Sequence, residues 1–248
     1  MPIFSLSFFA GLIRGRVRPY ADQKAALQSA SMKERLALAK NPHTKQEILY
    51  YLAKGDPDER VRRAVAKNKA TPLHAASMQA KDSDVDVRIA LAARLVDLLP
   101  GLSQDKHSRL YAYTVQALGT LALDEVLKVR LALSSAFKDH AYAPPKVAAQ
   151  LARDAERAVA EPILQYCSAL RDEDLLEILS GHPEGWVVEA IAGRQCVKAR
   201  AAKAVIDARN VAAGVKLIGN EGAELTVSLL QVIVERAKDF PEWQKPIA

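Results

Sequence analysis

Val61-Arg62-Arg63-Ala64-Val65-Ala66 recurs in this chain as Val87-Arg88-Ile89-Ala90-Leu91-Ala92 and again as Val129-Arg130-Leu131-Ala132-Leu133-Ser134. Acidic residues stand just upstream of each copy. Self-similarity at a short period is the mark of a repeat array. At about 100° per residue, Ala64, Val65 and Asn68 fall on the same helical face as Val61, and Arg60, Arg63 and Lys67 fall opposite. One stripe is small and apolar, the other basic and wet. The same wheel turns Val87, Ala90 and Leu91 inward, and Val129, Ala132 and Leu133 inward. Alanine between the two larger inward residues lets neighbouring helices approach closely. Arg62 and Arg88 are 26 residues apart and Arg88 and Arg130 are 42 apart, which longer helices over residues 84–122 explain.

Working outward, the punctuation is helical throughout. Ser31 to Glu34 and Thr44 to Glu47 both read as capping boxes. Asn41-Pro42 and Gly55 read as stops, and Asp56-Pro57 as the start of the helix that carries Val61. Thr71-Pro72, Asp82 to Asp84, Ser103 and Ala143 to Pro145 read as further starts, and Pro100-Gly101 as a stop. Beyond residue 150 the phrase degenerates. Asp154 to Leu164 keeps the acidic start and the apolar spacing, with Glu161-Pro162 where the Arg-x-Ala element would stand. Helices are still expected at about 172–180, 185–193, 198–208, 210–218 and 223–239. No convincing strand pattern appears, and no linker rich in Gly, Ser or Pro divides the chain.

The composition agrees. Of 248 residues half are hydrophobic, few are aromatic, and Ala, Leu, Val, Lys, Glu and Arg dominate, a helix-forming mixture. The net charge of +6 is unevenly placed. Residues 1–69 hold 14 Lys and Arg against 6 Asp and Glu, whereas residues 70–248 hold 21 against 23. A basic end of this kind suits an acidic partner, nucleic acid or an anionic surface, or is merely solvated. Two cysteines, Cys167 and Cys196, share no motif, which argues for a reducing compartment. No run approaches the roughly 20 apolar residues that span a bilayer. The apolar stretch Ile3 to Ile13 is short, and its arginines (Arg14, Arg16, Arg18) follow it, whereas a secretory signal carries them before. A cytoplasmic location is expected.

Several phrases resemble a known repeat unit. These are Lys40-Asn41-Pro42 through Thr44, Glu47-Ile48-Leu49-Tyr50-Tyr51-Leu52-Ala53, Asp56-Pro57-Asp58 and the Val61 to Ala66 stretch. Together with Asp154 to Leu164, Leu170 to Ile178 and Ala190 to Arg194, they are similar to a bacterial HEAT-like or leucine-rich-repeat-variant helical family of unassigned function, over about residues 20–240. The resemblance implies fold and brings no catalytic residues. Some variant-repeat proteins are associated with an iron–sulfur cluster held by clustered cysteines; this chain has no such cluster of cysteines, so that property does not transfer.

The expected fold is all-α, a right-handed α-solenoid of antiparallel helix pairs (HEAT-like or ARM-like), with residues 1–20 as an apolar and basic arm and 21–248 as one continuous domain. Arg62, Arg88 and Arg130 border the apolar face. Their planar forks suit carboxylates such as Asp56, Asp58, Asp82, Asp84 or Asp124, in a ladder between repeats; a row of anion ligands is the alternative. Arg14, Arg16, Arg18, Lys40, Arg60, Arg63, Lys67 and Lys69 form a candidate partner-binding basic patch. Tyr20, Tyr50 and Tyr51 are its only nearby aromatics, poor support for single-strand stacking. The histidines form no zinc pattern, and no Walker loop, nucleophile elbow or dinucleotide fingerprint is present. Trp186 and Trp243 read as core or inter-repeat anchors. No catalytic residue, metal or cofactor is expected. The function expected is a non-catalytic protein-interaction scaffold. The runner-up is a nucleic-acid-binding protein that uses the basic N-terminal repeats, and a weaker alternative is peripheral membrane binding through residues 3–18.

Overall fold

A computed structural model describes residues 20–29 and 31–247. Arg14, Arg16, Arg18 and the apolar stretch 3–13 therefore lie outside the described residues. What is described is all-helical. Its one β-like feature is an isolated parallel bridge between Val197 and Ala223. Two compact units divide the chain, one up to Leu133 and one from Ser134 on.

In the first unit the helices are α1 (Tyr20–Ser29), α2 (Met32–Lys40), α3 (Gln46–Gly55), α4 (Glu59–Lys67), α5 (Ala76–Gln79), α6 (Val85–Leu102) and α7 (Arg109–Ala122). A 3-10 turn, Leu73–Ala75, leads into α5, and α8 (Leu127–Phe137) runs across the division. Helices pack on the next but one: α4 lies on α2 and on α6, while α3 lies on α5. Val61, Val65, Val87, Leu91, Val129 and Leu133 are fully buried, so the apolar stripe of each repeated phrase faces inward. Small residues dominate this core, with Ala39, Ala66, Ala75 and Ala76 completely enclosed.

The second unit continues with α9 (Pro145–Leu151), α10 (Arg157–Tyr166), α11 (Asp172–Ser180), α12 (Gly185–Ala192), α13 (Ala199–Asp207), α14 (Val211–Ile218) and α15 (Val227–Arg236). A 3-10 turn, Pro241–Trp243, and the short α16 (Gln244–Ile247) follow. The packing rule is the same: α12 lies on α10 and α14, and α11 on α13. Trp243 is fully buried and its indole N–H donates to the Val211 carbonyl at 3.1 Å. Its ring lies so close to Gly214 that a β-carbon there would overlap it at 2.2 Å.

A row of polar braces closes one end of these helices. Asn68 Nδ2 donates to the carbonyls of Ala39 and Asn41, at 2.8 and 3.0 Å, where α2 ends. Arg94 does the same for the end of α4, donating to Asn68 O at 3.1 Å and Thr71 O at 2.9 Å. In the second unit Arg194 donates to Leu164 O and Cys167 O at the end of α10. Asn220 donates to Ala192 O and Arg194 O at the end of α12, at 2.9 and 2.8 Å. Each brace adds a donor to carbonyls at a helix end, where the intrahelical ladder runs out; those of Asn41 and Asn68 also accept a turn amide, from Thr44 and Thr71.

Some local expectations differ from what is found. Thr44 does not cap α3; its hydroxyl donates backward to Leu38 O at 2.7 Å, and Thr71 does likewise to Val65 O at 2.7 Å. Both close the helix before them, because a threonine six residues past a last-turn carbonyl reaches it across the turn. Asp58, not Asp56, caps α4, accepting from Arg60 N at 2.9 Å. Pro100 lies inside α6, which ends two residues later, and α7 is capped by Ser108 in place of Ser103.

The braces carry a testable consequence. Asn68→Ala strips the side-chain donor from Ala39 O and Asn41 O, and Asn220→Ala from Ala192 O and Arg194 O, so each is expected to lower unfolding free energy by about 1–3 kcal/mol in urea titration. A change within roughly 0.5 kcal/mol would assign the carbonyls to solvent.

Candidate functional site

The repeated arginine occupies one register. It stands four residues after the residue that precedes its helix: Arg35 after Ser31, Arg62 after Asp58, Arg88 after Asp84, Arg130 after Val126. The aspartates of the ladder stand two residues before that same reference, as Asp56, Asp82 and Asp124. Arg35 forks onto Asp56 through Nε at 2.7 Å and Nη2 at 3.3 Å. Arg62 forks onto Asp82 at 2.8 and 3.0 Å, and Arg88 onto Asp124 at 2.6 and 3.1 Å.

The third nitrogen turns home. Arg62 Nη1 donates to Asp56 O at 2.8 Å, Arg88 Nη1 to Asp82 O at 2.6 Å, and Arg130 Nη1 to Asp124 O at 2.7 Å. Each aspartate also holds its own loop, accepting from the amide two residues on: Asp58 N at 3.0 Å, Asp84 N at 2.9 Å and Val126 N at 2.9 Å. Asp84 caps α6, accepting from Val87 N at 2.9 Å. The forks are largely buried, with the Arg88 and Asp124 side chains 9% and 6% exposed. Hydrogen bonding to Asp82 holds the Arg62 guanidinium above its ordinary pKa, and Asp56 does the same for Arg35.

Outside the ladder runs a second, wet line of charge. Arg63 meets Asp86 at 3.0 Å, and Lys128 approaches the other Asp86 oxygen at 3.4 Å. Arg60 folds back on Asp58 at 2.6 Å, and this contact holds the Asp58 carboxyl down at about 2. Two members of the basic patch, Arg60 and Arg63, are thus already on carboxylates. Lys40, Lys67 and Lys69 are exposed and carry none among the described residues, and Lys40 and Lys67 end α2 and α4, where a cation suits the helix dipole.

Composition gave Tyr50 and Tyr51 no part beyond their aromaticity. Tyr51 is 61% exposed on α3. It separates two depressions. One, of about 210 Å³, is lined by Tyr50, Glu47, Pro72 and His74. The other, of about 490 Å³, is lined by Leu27, Arg35, Lys54 and Asp56. Tyr50 packs edge-on to Tyr51, with centroids 6.1 Å apart, and lies 5.1 Å from the His74 ring. The signal for Tyr51 in the sequence is weak, a tyrosine one step off the buried stripe of Ile48, Leu49 and Leu52.

No group of three His, Cys, Asp or Glu placed to hold a metal ion occurs among the described residues. No described helix is long and apolar enough to cross a membrane. Cys167 is buried and Cys196 exposed, and both are free thiols.

Residues 159–248 are similar to a family described as an uncharacterised protein conserved in bacteria (DUF2336). That agrees with a bacterial family of unassigned function. Neither the curated proteins nor the solved structures contain a significant match to the chain.

Neighbouring arginines of α4 should behave in opposite ways. Arg62→Met leaves Asp82 buried and unpaired and is expected to cost more than about 2 kcal/mol. Arg63→Ala removes an exposed pair and is expected to cost less than about 1 kcal/mol. Thermal and urea unfolding of the two variants check this; equal costs would contradict the division into buried ladder and wet line.

Proposed function

We propose that this chain is a non-catalytic protein-interaction scaffold, a HEAT-like or ARM-like right-handed α-solenoid of antiparallel helix pairs working in the bacterial cytoplasm. The observation that carries this reading is the shared register of the forks. When Arg35, Arg62 and Arg88 each bind the aspartate of the following repeat, residues at equal positions line up along one face, and a surface grows by repetition. The packing of each helix on the next but one supports the same arrangement. Two free thiols support a reducing location.

Tyr51 supplies a natural anchor on such a surface. A rigid, exposed aromatic beside small depressions and charged groups is the usual make-up of an interaction hot spot. Nucleic-acid binding through the first unit is the weaker reading, because Asp58 and Asp86 already occupy Arg60 and Arg63.

The test is crosslinked affinity capture from the native bacterium with the intact chain and two variants, Tyr51→Ala and Arg60→Glu/Arg63→Glu/Lys67→Glu. A discrete protein retained by the wild type and lost with Tyr51→Ala is the expected result. Retention of nucleic acid alone, lost with the charge-reversed variant and falling steeply with salt, would replace the scaffold by the nucleic-acid reading. Recovery of nothing beyond the bare resin would contradict both.

A further inference from the structure

Beyond Asp154 the arginine–aspartate register lapses, and its place is open. The arginine register continues as Ala160 in α10, Val188 in α12 and Gly214 in α14, and the aspartate register as Asp154, His182 and Ala208. Where α4 and α6 would offer an Arg–Asp fork, α12 offers Val188 and the loop before α14 offers Ala208. Both line a cleft of about 770 Å³. Its apolar floor includes Leu176, Leu179 and Val188, the latter two buried.

The rim is cationic. Among the described arginines of this unit, Arg153, Arg157, Arg171 and Arg236 lie on carboxylates, and Arg194 lies on buried carbonyls. Among the described residues the side chains of Arg200 and Arg209 make no hydrogen bond or ion pair, and both line this cleft together with His182. Asp207 is the one carboxylate in the lining, and it is already engaged by Lys203 and by Arg236 at 2.9 Å.

The backbone adds an independent sign. His182 and Arg209 are the two non-glycine residues with positive φ among the described residues, at 55° and 54°. An L side chain in that region costs stability that glycine would spare. Glycine stands one residue away, at Gly181, in an ordinary conformation with φ −76°. Side chains held at a conformational cost cluster where they act on something.

We propose that this cleft binds an amphiphilic oxyanion, its phosphate or carboxylate head on the forks of Arg200 and Arg209 with the His182 imidazole beside them, and its apolar body on Leu176, Leu179 and Val188. The guanidinium forks match either head group. A concave apolar floor with a few convergent polar groups is the general form of a small-molecule site. The inference concerns the second unit alone and does not depend on the scaffold reading.

The experiment titrates the full chain with octyl phosphate, octanoate and octyltrimethylammonium, each below its micelle concentration, followed by calorimetry. Either anionic probe should bind more tightly than the cationic one, and the tighter of the two identifies the natural head group. Arg200→Glu/Arg209→Glu should weaken that binding by at least about tenfold. Val188→Arg/Ala208→Asp rebuilds the fork in the cleft and should abolish binding, with helical circular dichroism retained. Arg209→Gly separates strain from folding: it should raise Tm by about 2–4 °C and still weaken the probe by at least about threefold. Equal binding of the three probes, or affinity unchanged by the charge reversal, would overturn the proposal.

Discussion

The guanidinium fork between successive repeats is the constraint on which the first unit depends. Arg62 and Arg88 are each satisfied at three nitrogens, two on the carboxylate of the next repeat and one on a carbonyl of their own. That carbonyl belongs to an aspartate that the previous arginine already holds. Asp82 therefore takes Arg62 on its side chain and Arg88 on its backbone. Every link fixes the one before it and the one after. A buried ion pair adds little net stability, since desolvation offsets most of the Coulomb attraction, but breaking one partner is costly. The ladder is thus better suited to setting register than to raising stability, which the aliphatic core of Val61, Val87, Val129 and their neighbours supplies.

At the other end of the same helices the braces do a different job. Arg94 and Arg194 are buried without a carboxylate, and burial lowers the pKa of each guanidinium, that of Arg94 to about 10. They are tolerated because the groups they meet are helix-terminal carbonyls, whose partial negative charge suits a cation. Asn68 and Asn220 serve the same carbonyls without charge. The braces occur in both units, whereas the forks of Arg35, Arg62 and Arg88 fall in the first. The second unit therefore keeps the helix spacing and loses the side chains that fill the loop end, and that is where the cleft lies.

The sequence showed the ladder because the fork tolerates little variation: a planar five-donor head and a short carboxylate must meet at fixed reach, so Val-Arg and Asp recur in recognisable form. It hid the braces because either asparagine or arginine can reach two carbonyls, and the positions 68 and 94, or 194 and 220, do not look alike. Thr44 was misread for a related reason: the same hydroxyl can cap the helix ahead or the helix behind, and only the path of the chain decides. Pro100 is accommodated near the end of a long helix that a proline would be expected to stop. Beyond residue 150 the helices were legible from periodicity, but the cleft was not, since it is made by what Val188 and Ala208 fail to supply.

The most direct test of this account is a double-mutant cycle on Arg88 and Asp124, measured by urea unfolding of the full chain. If the fork sets the contact between repeats, Arg88→Met and Asp124→Leu should each cost about 3–5 kcal/mol, and the double variant should cost less than their sum by about 1.5–3 kcal/mol. Costs that add to within about 0.5 kcal/mol would mean the two side chains act independently, and the ladder would lose its place as the organising contact.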